Sequence, residues 1–234
     1  ITSFGFGQAF TGTYNISTSG GNDVSTYPYN GSPITNLTIG NLTKDGVTSS
    51  SSLGNFRASN WDTGSTNGGA AGGSVNLAKY FEFTITATGG NTISNPTINF
   101  GVGRSGTGPR RFQFRSNADN YSSLMTVTTT PTGTSTSGNV IETPDANTNY
   151  SNGTASLTAS GLTSITFRFY AYGAESAAGT GGLAGNLTFN GTLVSTPCTP
   201  PSTQASLYNT TGITTTTGTP RWTRGDGDNV LVVM

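Results

Sequence analysis

The sequence contains no histidine among its 234 residues. This absence excludes Ser-His-Asp and Cys-His catalysis, histidine-ligated zinc and an imidazole base that titrates near neutral pH. Catalysis would have to use carboxylate, tyrosine, lysine or arginine side chains. We therefore expect a non-catalytic protein with no catalytic residue, no metal-binding residue and no cofactor.

Charge is also scarce, and ten basic residues balance ten acidic ones. Binding to nucleic-acid phosphates needs a surplus of lysine and arginine, so we expect no nucleic-acid partner. No apolar run approaches the length of a membrane span, which predicts that the chain does not insert directly into a membrane. The single cysteine, Cys198, cannot form an internal disulfide.

The dominant pattern in the chain is an alternation of apolar and polar residues. In "KYFEFTITA", Phe81, Phe83 and Ile85 share one face and Glu82 lies on the other. The segments "TINFGV", "RRFQFRS", "SITFRFYAY" and "NLTFNGTLV" repeat this period of two, which is typical of strands with one buried face. Clusters of Gly, Asn, Ser and Pro separate these segments. The sequence therefore predicts an all-β fold, an antiparallel two-sheet sandwich of jelly-roll type.

A change in composition divides the chain near its end. We assign the sandwich domain to residues 1–194 and a semi-rigid, proline-rich linker, "STPCTPPST", to residues 195–203. Residues 204–234 contain strand-like segments and finish with "VLVVM", which would be a central strand without its next partner. We therefore expect residues 204–234 to be an incomplete second β domain, and the chain to be a piece of a longer protein.

A motif with a known chemical meaning lies in "INFGVGRSGTGPRRFQFRS", where Gly101, Gly103 and Gly106 fit the spacing G-x-G-x-x-G. In dinucleotide-binding folds a helix follows this loop, and its N-terminus faces the pyrophosphate. Here Pro109 and another alternating segment follow instead. The pattern predicts a hairpin connection in which glycine permits positive φ, and not a nucleotide site.

Arginine and tyrosine side chains concentrate on the predicted outward faces of the strands. One interpretation is a solvated sheet face, where guanidinium groups stack on aromatic rings or pair with Glu82 and Asp119. The other is a polar patch that holds an anionic or glycan ligand. Tyr170 and Tyr172 are either platforms for sugar rings or parts of a second buried face, whereas Trp61 is expected in the core. The candidate ligand patch comprises Arg104, Arg111, Arg115, Arg168, Tyr170 and Tyr172.

Five segments occur in order over residues 55–194: "ASNWDTGS", "KYFEFTITATGG", "INFGVGRSGTGPRRFQFRSNADNY", "ITFRFYAYGAESAAGTGG" and "NLTFNGTLV". Together they resemble a β-sandwich module that is repeated in large secreted and cell-surface proteins of the Bacteroidetes. The tail "GTPRWTRGDGDNVLVV" resembles the early strands of a fibronectin type III-like domain. It departs from that type because Pro220 and Arg221 replace the hydrophobic residue and serine that usually precede the tryptophan.

The resemblance implies export by the type IX secretion system and, in some relatives, a role as a gliding or attachment adhesin. We therefore expect a non-catalytic structural or adhesive module of a secreted or cell-surface multidomain protein. Its partners would be glycans or other surface and secretion proteins. The alternative is a glycan-binding module of an extracellular enzyme or adhesin that uses the candidate patch. A third hypothesis is a hydrolase with two carboxylates facing each other across a cleft.

Overall fold

The computed structural model describes residues 7–19, 24–50, 55–195, 203, 206–211, 214–217 and 219–223. These residues belong to two compact units, of which the larger holds all described residues up to 195. The regular secondary structure of the larger unit is almost entirely strand. Its helical parts, among the described residues, are a single turn, α1 (Ile16–Ser19), and a 3₁₀ turn at Asn117–Asp119.

One eight-stranded antiparallel sheet, the first sheet, is arranged around a long central strand. Numbered along the chain, its strands are β1 (Gly7–Tyr14), β5 (Thr48–Ser50), β6 (Asn55–Ser59), β8 (Asn91–Arg104), β10 (Thr126–Thr129), β13 (Thr148–Ser156), β15 (Gly181–Ala184) and β16 (Leu187–Ser195). β13 and then β10 lie on one side of β8, and β15 and β16 share its other side. The sheet continues from β16 to β1 and from β15 to β6 and β5.

The second sheet is also eight-stranded and antiparallel. Its strands are β2 (Thr26–Tyr27), β3 (Leu37–Ile39), β4 (Leu42–Asp45), β7 (Tyr80–Ala87), β9 (Arg111–Ser116), β11 (Ser135–Ser137), β12 (Val140–Glu142) and β14 (Ser164–Tyr172). The order across the sheet is β11-β12-β9-β14-β7-β4-β2, and β3 also pairs with β7. β9, β14 and β7 therefore lie side by side at its centre.

The two sheets pack face to face through an aromatic core, as the alternation predicts. Phe100 of the first sheet and Phe114 of the second have ring centres 4.6 Å apart, and Phe56 and Phe81 are 4.9 Å apart. Trp61 is 1% exposed, which confirms its predicted place in the core. The prediction of an all-β sandwich of two antiparallel sheets is confirmed.

The glycine-rich connection after β8 is not the hairpin that the sequence predicts. β8 belongs to the first sheet and β9 to the second, so residues 105–110 carry the chain from one sheet to the other. Neither Gly108 nor the glycines of the motif adopt positive φ. Close packing explains Gly101, Gly103 and Gly108 instead, whereas Gly106 has open space around it. A Cβ atom on Gly101 would lie 2.5 Å from the carbonyl oxygen of Ala184 and 2.8 Å from that of Tyr150.

In the smaller unit, β17 (Ser206–Thr211) and β18 (Thr219–Thr223) form an antiparallel pair. Residues 196–202, which make up most of the predicted linker, lie outside the described residues, as do residues 224–234. The proposed linker and the incomplete fibronectin type III-like domain therefore stay predictions.

Candidate functional site

Most of the predicted patch lies on the outward face of the second sheet. The strand register brings Arg115, Arg168 and Glu82 into one row across β9, β14 and β7, and it places Tyr172 opposite Arg111. We call this surface the arginine–tyrosine face; it consists of the outward side chains of residues 111–115 and 168–172, with Tyr80 and Glu82. Five of the six patch residues come together here, and Arg104 does not.

Arg168 lies between two tyrosine rings on this face. Its guanidinium carbon is 3.8 Å from the centre of the Tyr80 ring and 4.0 Å from that of Tyr121. Its Nε donates to a carboxylate oxygen of Glu82 at 2.9 Å. Burial disfavours the charged form, but the hydrogen bond to Glu82 and the other neighbours together outweigh it, so the pKa of Arg168 is raised. Stacking and ion pairing therefore fix this side chain in place.

The guanidinium of Arg115 also forms its hydrogen bonds within the protein. Its Nη1 donates to the backbone oxygens of Tyr121 at 2.8 Å and Ser122 at 2.9 Å. When the amide oxygen of Gln113 is turned toward Arg115, that oxygen accepts from Nε at 2.9 Å and from Nη2 at 3.2 Å. Arg115 thus ties the turn after β9 to the sheet.

The tyrosines of the arginine–tyrosine face are closed to solvent. Tyr170 is 0% exposed and Tyr172 is 6% exposed, and burial raises the pKa of both phenols. Burial and a hydrogen bond donated to Asp45 at 2.8 Å raise the pKa of Tyr80 to about 12. The rings of Tyr170 and Tyr172 form a second buried face, and neither presents an open plane to a sugar.

Arg104 occupies a different place, at the end of β8 in the first sheet, and its side chain is fully buried. Along β8 it continues the inward positions of Phe100 and Val102. Its guanidinium therefore enters the end of the sandwich instead of joining the arginine–tyrosine face.

The guanidinium of Arg104 makes five hydrogen bonds, one for each of its N–H donors. Nη1 donates to Asp145 at 2.9 Å and to the backbone oxygen of Pro144 at 3.1 Å, and Nη2 donates to Glu175 at 2.6 Å. The other two bonds go to backbone oxygens of the connection 105–110. Arg104 thereby fastens together the loops that follow β8, β12 and β14.

Two carboxylates, those of Asp145 and Glu175, converge at Arg104. The hydrogen bond from Arg104 lowers the pKa of Asp145 to about 2, and the side chain of Glu175 is 4% exposed. Both bind one guanidinium, so they do not face each other across a cleft. No group of three or more cysteine or carboxylate side chains suited to a metal ion occurs within the described residues.

A second candidate site lies on the outward face of the first sheet, where strand pairing to β8 is interrupted on both sides. On one side, a bulge in β13 places Ser151 and Asn152 opposite Gly101. On the other side, the passage from β15 to β16 leaves Phe100 and Gly101 unopposed. The result is a groove of about 420 Å³, which we call the asparagine groove. Its polar lining comprises Asn99, Ser151, Asn152, Thr154, Asn186 and Thr188.

The sequence-based reasoning did not find the asparagine groove. The sequence did indicate that Asn99 faces outward, because it lies between the inward residues Ile98 and Phe100. The groove itself depends on the bulge at Asn152 and on the break between β15 and β16. Both are features of strand pairing, which residue alternation does not encode.

Comparison with known proteins does not assign either site. No family model, curated protein or solved structure matches the chain. In the part of the chain that the structure describes, no helix has the length and apolar character needed to cross a membrane.

Proposed function

We propose that this chain is a non-catalytic structural and adhesive module of a secreted or cell-surface multidomain protein. The observation that carries the proposal is that several charged side chains of the sandwich form ion pairs within the fold. Arg104, Arg168 and Lys79 each bind a carboxylate oxygen at 2.9 Å or less. Charged groups held in this way are paired within the protein and are withheld from substrates.

The outward face of the first sheet supports the same role. Its side chains are mostly hydroxyls and amides that bond to one another, as Thr11 does to Asn190 at 2.9 Å and Thr13 to Thr188 at 3.0 Å. An uncharged polar surface makes few charge-driven contacts. This surface chemistry suits a module that is exposed to many other molecules outside the cell.

The proposed location and export route depend on the sequence resemblance to Bacteroidetes modules. We expect antibodies raised against residues 7–195 to label intact cells of a bacterium that produces the protein, or to detect it in the medium. In a strain without a working type IX secretion system, the external signal should disappear. Detection only after cell lysis would contradict the proposal.

The non-catalytic part of the proposal has a separate test. Purified protein is incubated with oligosaccharides and with chromogenic glycosides and esters, and we expect no product above the buffer control. Product release by the unmodified chain, with loss of release in Glu175→Gln, would favour the hydrolase hypothesis instead. Circular dichroism of Glu175→Gln separates lost activity from lost folding.

A further inference from the structure

We infer that the asparagine groove binds a neutral, hydroxyl-rich sugar. The inference deepens the adhesive part of the proposed function and rests on it, because the bound glycan would be what the module adheres to. The groove measures about 420 Å³, within the range of about 300–1,000 Å³ found for small-ligand sites. Four features of its lining support this ligand class: oriented amides, amides on both walls, no charge and small residues between the walls.

Two amides of the groove are oriented by hydrogen bonds that their oxygens accept. Oδ1 of Asn186 accepts hydrogen bonds from the backbone nitrogen and Oγ of Ser17 at 2.9 and 2.7 Å. Oδ1 of Asn99 accepts from Oγ1 of Thr154 at 3.1 Å. No described residue accepts a hydrogen bond from Nδ2 of either asparagine. Because the oxygens set the orientation of both amides, their NH₂ groups are preorganised to donate to a ligand oxygen.

Amides line the groove on both walls as well as on its central strand. Asn186 lies between β15 and β16, and Asn152 lies across β8 in the bulge of β13. Asn152 has a φ of 67°, a left-handed conformation that asparagine tolerates better than most residues. A ring-shaped ligand with hydroxyls around its edge would therefore meet amides from opposite directions.

The lack of charged side chains among the described residues of the groove would select against acidic ligands. No charged side chain of the described residues lines it. Arg57, on the same outward face, extends over Gly103 to bond with Asn149 and is 8% exposed, so its charge is covered. A carboxylate or sulfate needs a compensating charge when it leaves water. The groove therefore favours a neutral ligand over an acidic one.

Among the described residues, the middle of the groove carries no polar side chain. Gly101 lies on the outward side of β8 between the two walls, beside Ala184, whereas the ring of Phe100 points into the core. Sugar rings present C–H groups on their faces and hydroxyls at their edges, so small residues between amide donors leave room for such a ring. An extended peptide fits less well, because peptides that bind to sheets add to a strand edge and the groove lies on a sheet face.

The test uses the full chain and two parallel arrays. One array carries neutral cello-, xylo-, manno- and chito-oligosaccharides beside oligogalacturonate and sulfated chondroitin; the other carries peptides. We expect binding to at least one neutral oligosaccharide, confirmed by titration calorimetry, and none to the acidic sugars or peptides. Binding restricted to acidic sugars or to peptides, or no binding on either array, would overturn the inference.

Variants locate the bound sugar. Asn99→Ala removes one preorganised donor and should weaken binding about fivefold, the effect of one net hydrogen bond. Asn190→Ala is the matched control: Asn190 also bonds to threonines on this face, at 2.9 and 3.3 Å, but lies outside the groove. Its affinity should equal that of the unmodified chain. Equal affinities for Asn99→Ala and the unmodified chain would overturn the inference.

A further variant guards against a folding defect. Asn152→Gly removes the amide of the bulge while keeping a residue that accepts positive φ. Asn152→Gly should also weaken sugar binding at an unchanged melting temperature, and retained full affinity would contradict the site.

The outcomes separate this inference from the proposed function. Failure of sugar binding would contradict the inference but not the proposal of a structural module. Hydrolysis of a bound sugar would overturn the non-catalytic proposal and leave the groove standing.

Discussion

Arg104 illustrates how a single buried charge can organise this fold. Its fully buried guanidinium would destabilise the protein without partners, and five hydrogen bonds to three loops satisfy it. The sequence indicated this buried position, because side chains alternate along a strand and Arg104 falls on the same side as the inward residues Ile98, Phe100 and Val102. Grouping it with the other arginines by proximity in sequence misplaced it, since the chain changes sheets immediately afterwards.

Replacing Arg104 should be far more damaging than replacing an exposed arginine. Arg104→Met leaves the nearly buried Glu175 without its counter-charge, and we expect a loss of about 3–5 kcal/mol in the free energy of unfolding. Arg111→Met is the control, because Arg111 and Glu142 are 31% and 37% exposed and such pairs contribute about 1 kcal/mol or less. Urea unfolding measures both. Equal losses in the two variants would contradict the structural role of Arg104.

Asp145 gives the Arg104 cluster a signature at low pH. Its pKa in the folded protein is lowered to about 2, below the ordinary aspartate value, so its ionised form stabilises the fold. This contribution is present above about pH 4 and is lost as the pH falls toward 2. Asp145→Asn should flatten that part of the curve of unfolding free energy against pH. An unchanged slope in Asp145→Asn would show that Asp145 is not the group concerned.

At the scale of strands, alternation predicted which side chains face inward but not which strands pair. Phe112 and Phe114 are buried, as the pattern of β9 indicates, and Arg111 and Arg115 face outward beside β14. The chain crosses between sheets at residues 105–110, which local sequence does not reveal. That crossing depends on long-range pairing of β8 with β13, β15 and β16.

Two glycines of the crossing provide a matched pair for mutation. In Gly108→Ala the new Cβ would collide with the backbone oxygen of Thr180, whereas in Gly106→Ala it would meet open space. We expect Gly108→Ala to lower the free energy of unfolding by about 1–3 kcal/mol, as overpacking does. Gly106→Ala should change it little. A larger loss in Gly106→Ala than in Gly108→Ala, measured by urea unfolding, would contradict the close-packing explanation.

At the scale of the whole larger unit, the two sheets have outward faces of different character. The arginine–tyrosine face is sealed by stacked and paired side chains, and the face of the first sheet carries an open groove. The alternation of apolar and polar residues predicted the all-β class. It could not predict which face is open, because the burial of Tyr170 and the exposure of Asn152 both depend on neighbouring strands.

The larger unit should fold without the rest of the chain. Its hydrophobic core consists of residues between Phe10 and Leu193. We therefore expect a chain that ends at residue 195 to show one cooperative thermal transition by circular dichroism, with near-ultraviolet signals from its packed aromatic residues. A broad, non-cooperative transition without those signals would show that the sandwich depends on later residues.

We propose that the arginine–tyrosine face holds the fold together, whereas the asparagine groove contacts the ligand. The most direct test is calorimetric titration of a neutral oligosaccharide into Asn99→Ala and Arg111→Ala, since Arg111 is the patch residue least tied to the fold. Our account predicts about fivefold weaker binding for Asn99→Ala and unchanged affinity for Arg111→Ala. Unchanged affinity for Asn99→Ala with weakened binding for Arg111→Ala would contradict it and return the ligand to the arginine–tyrosine face.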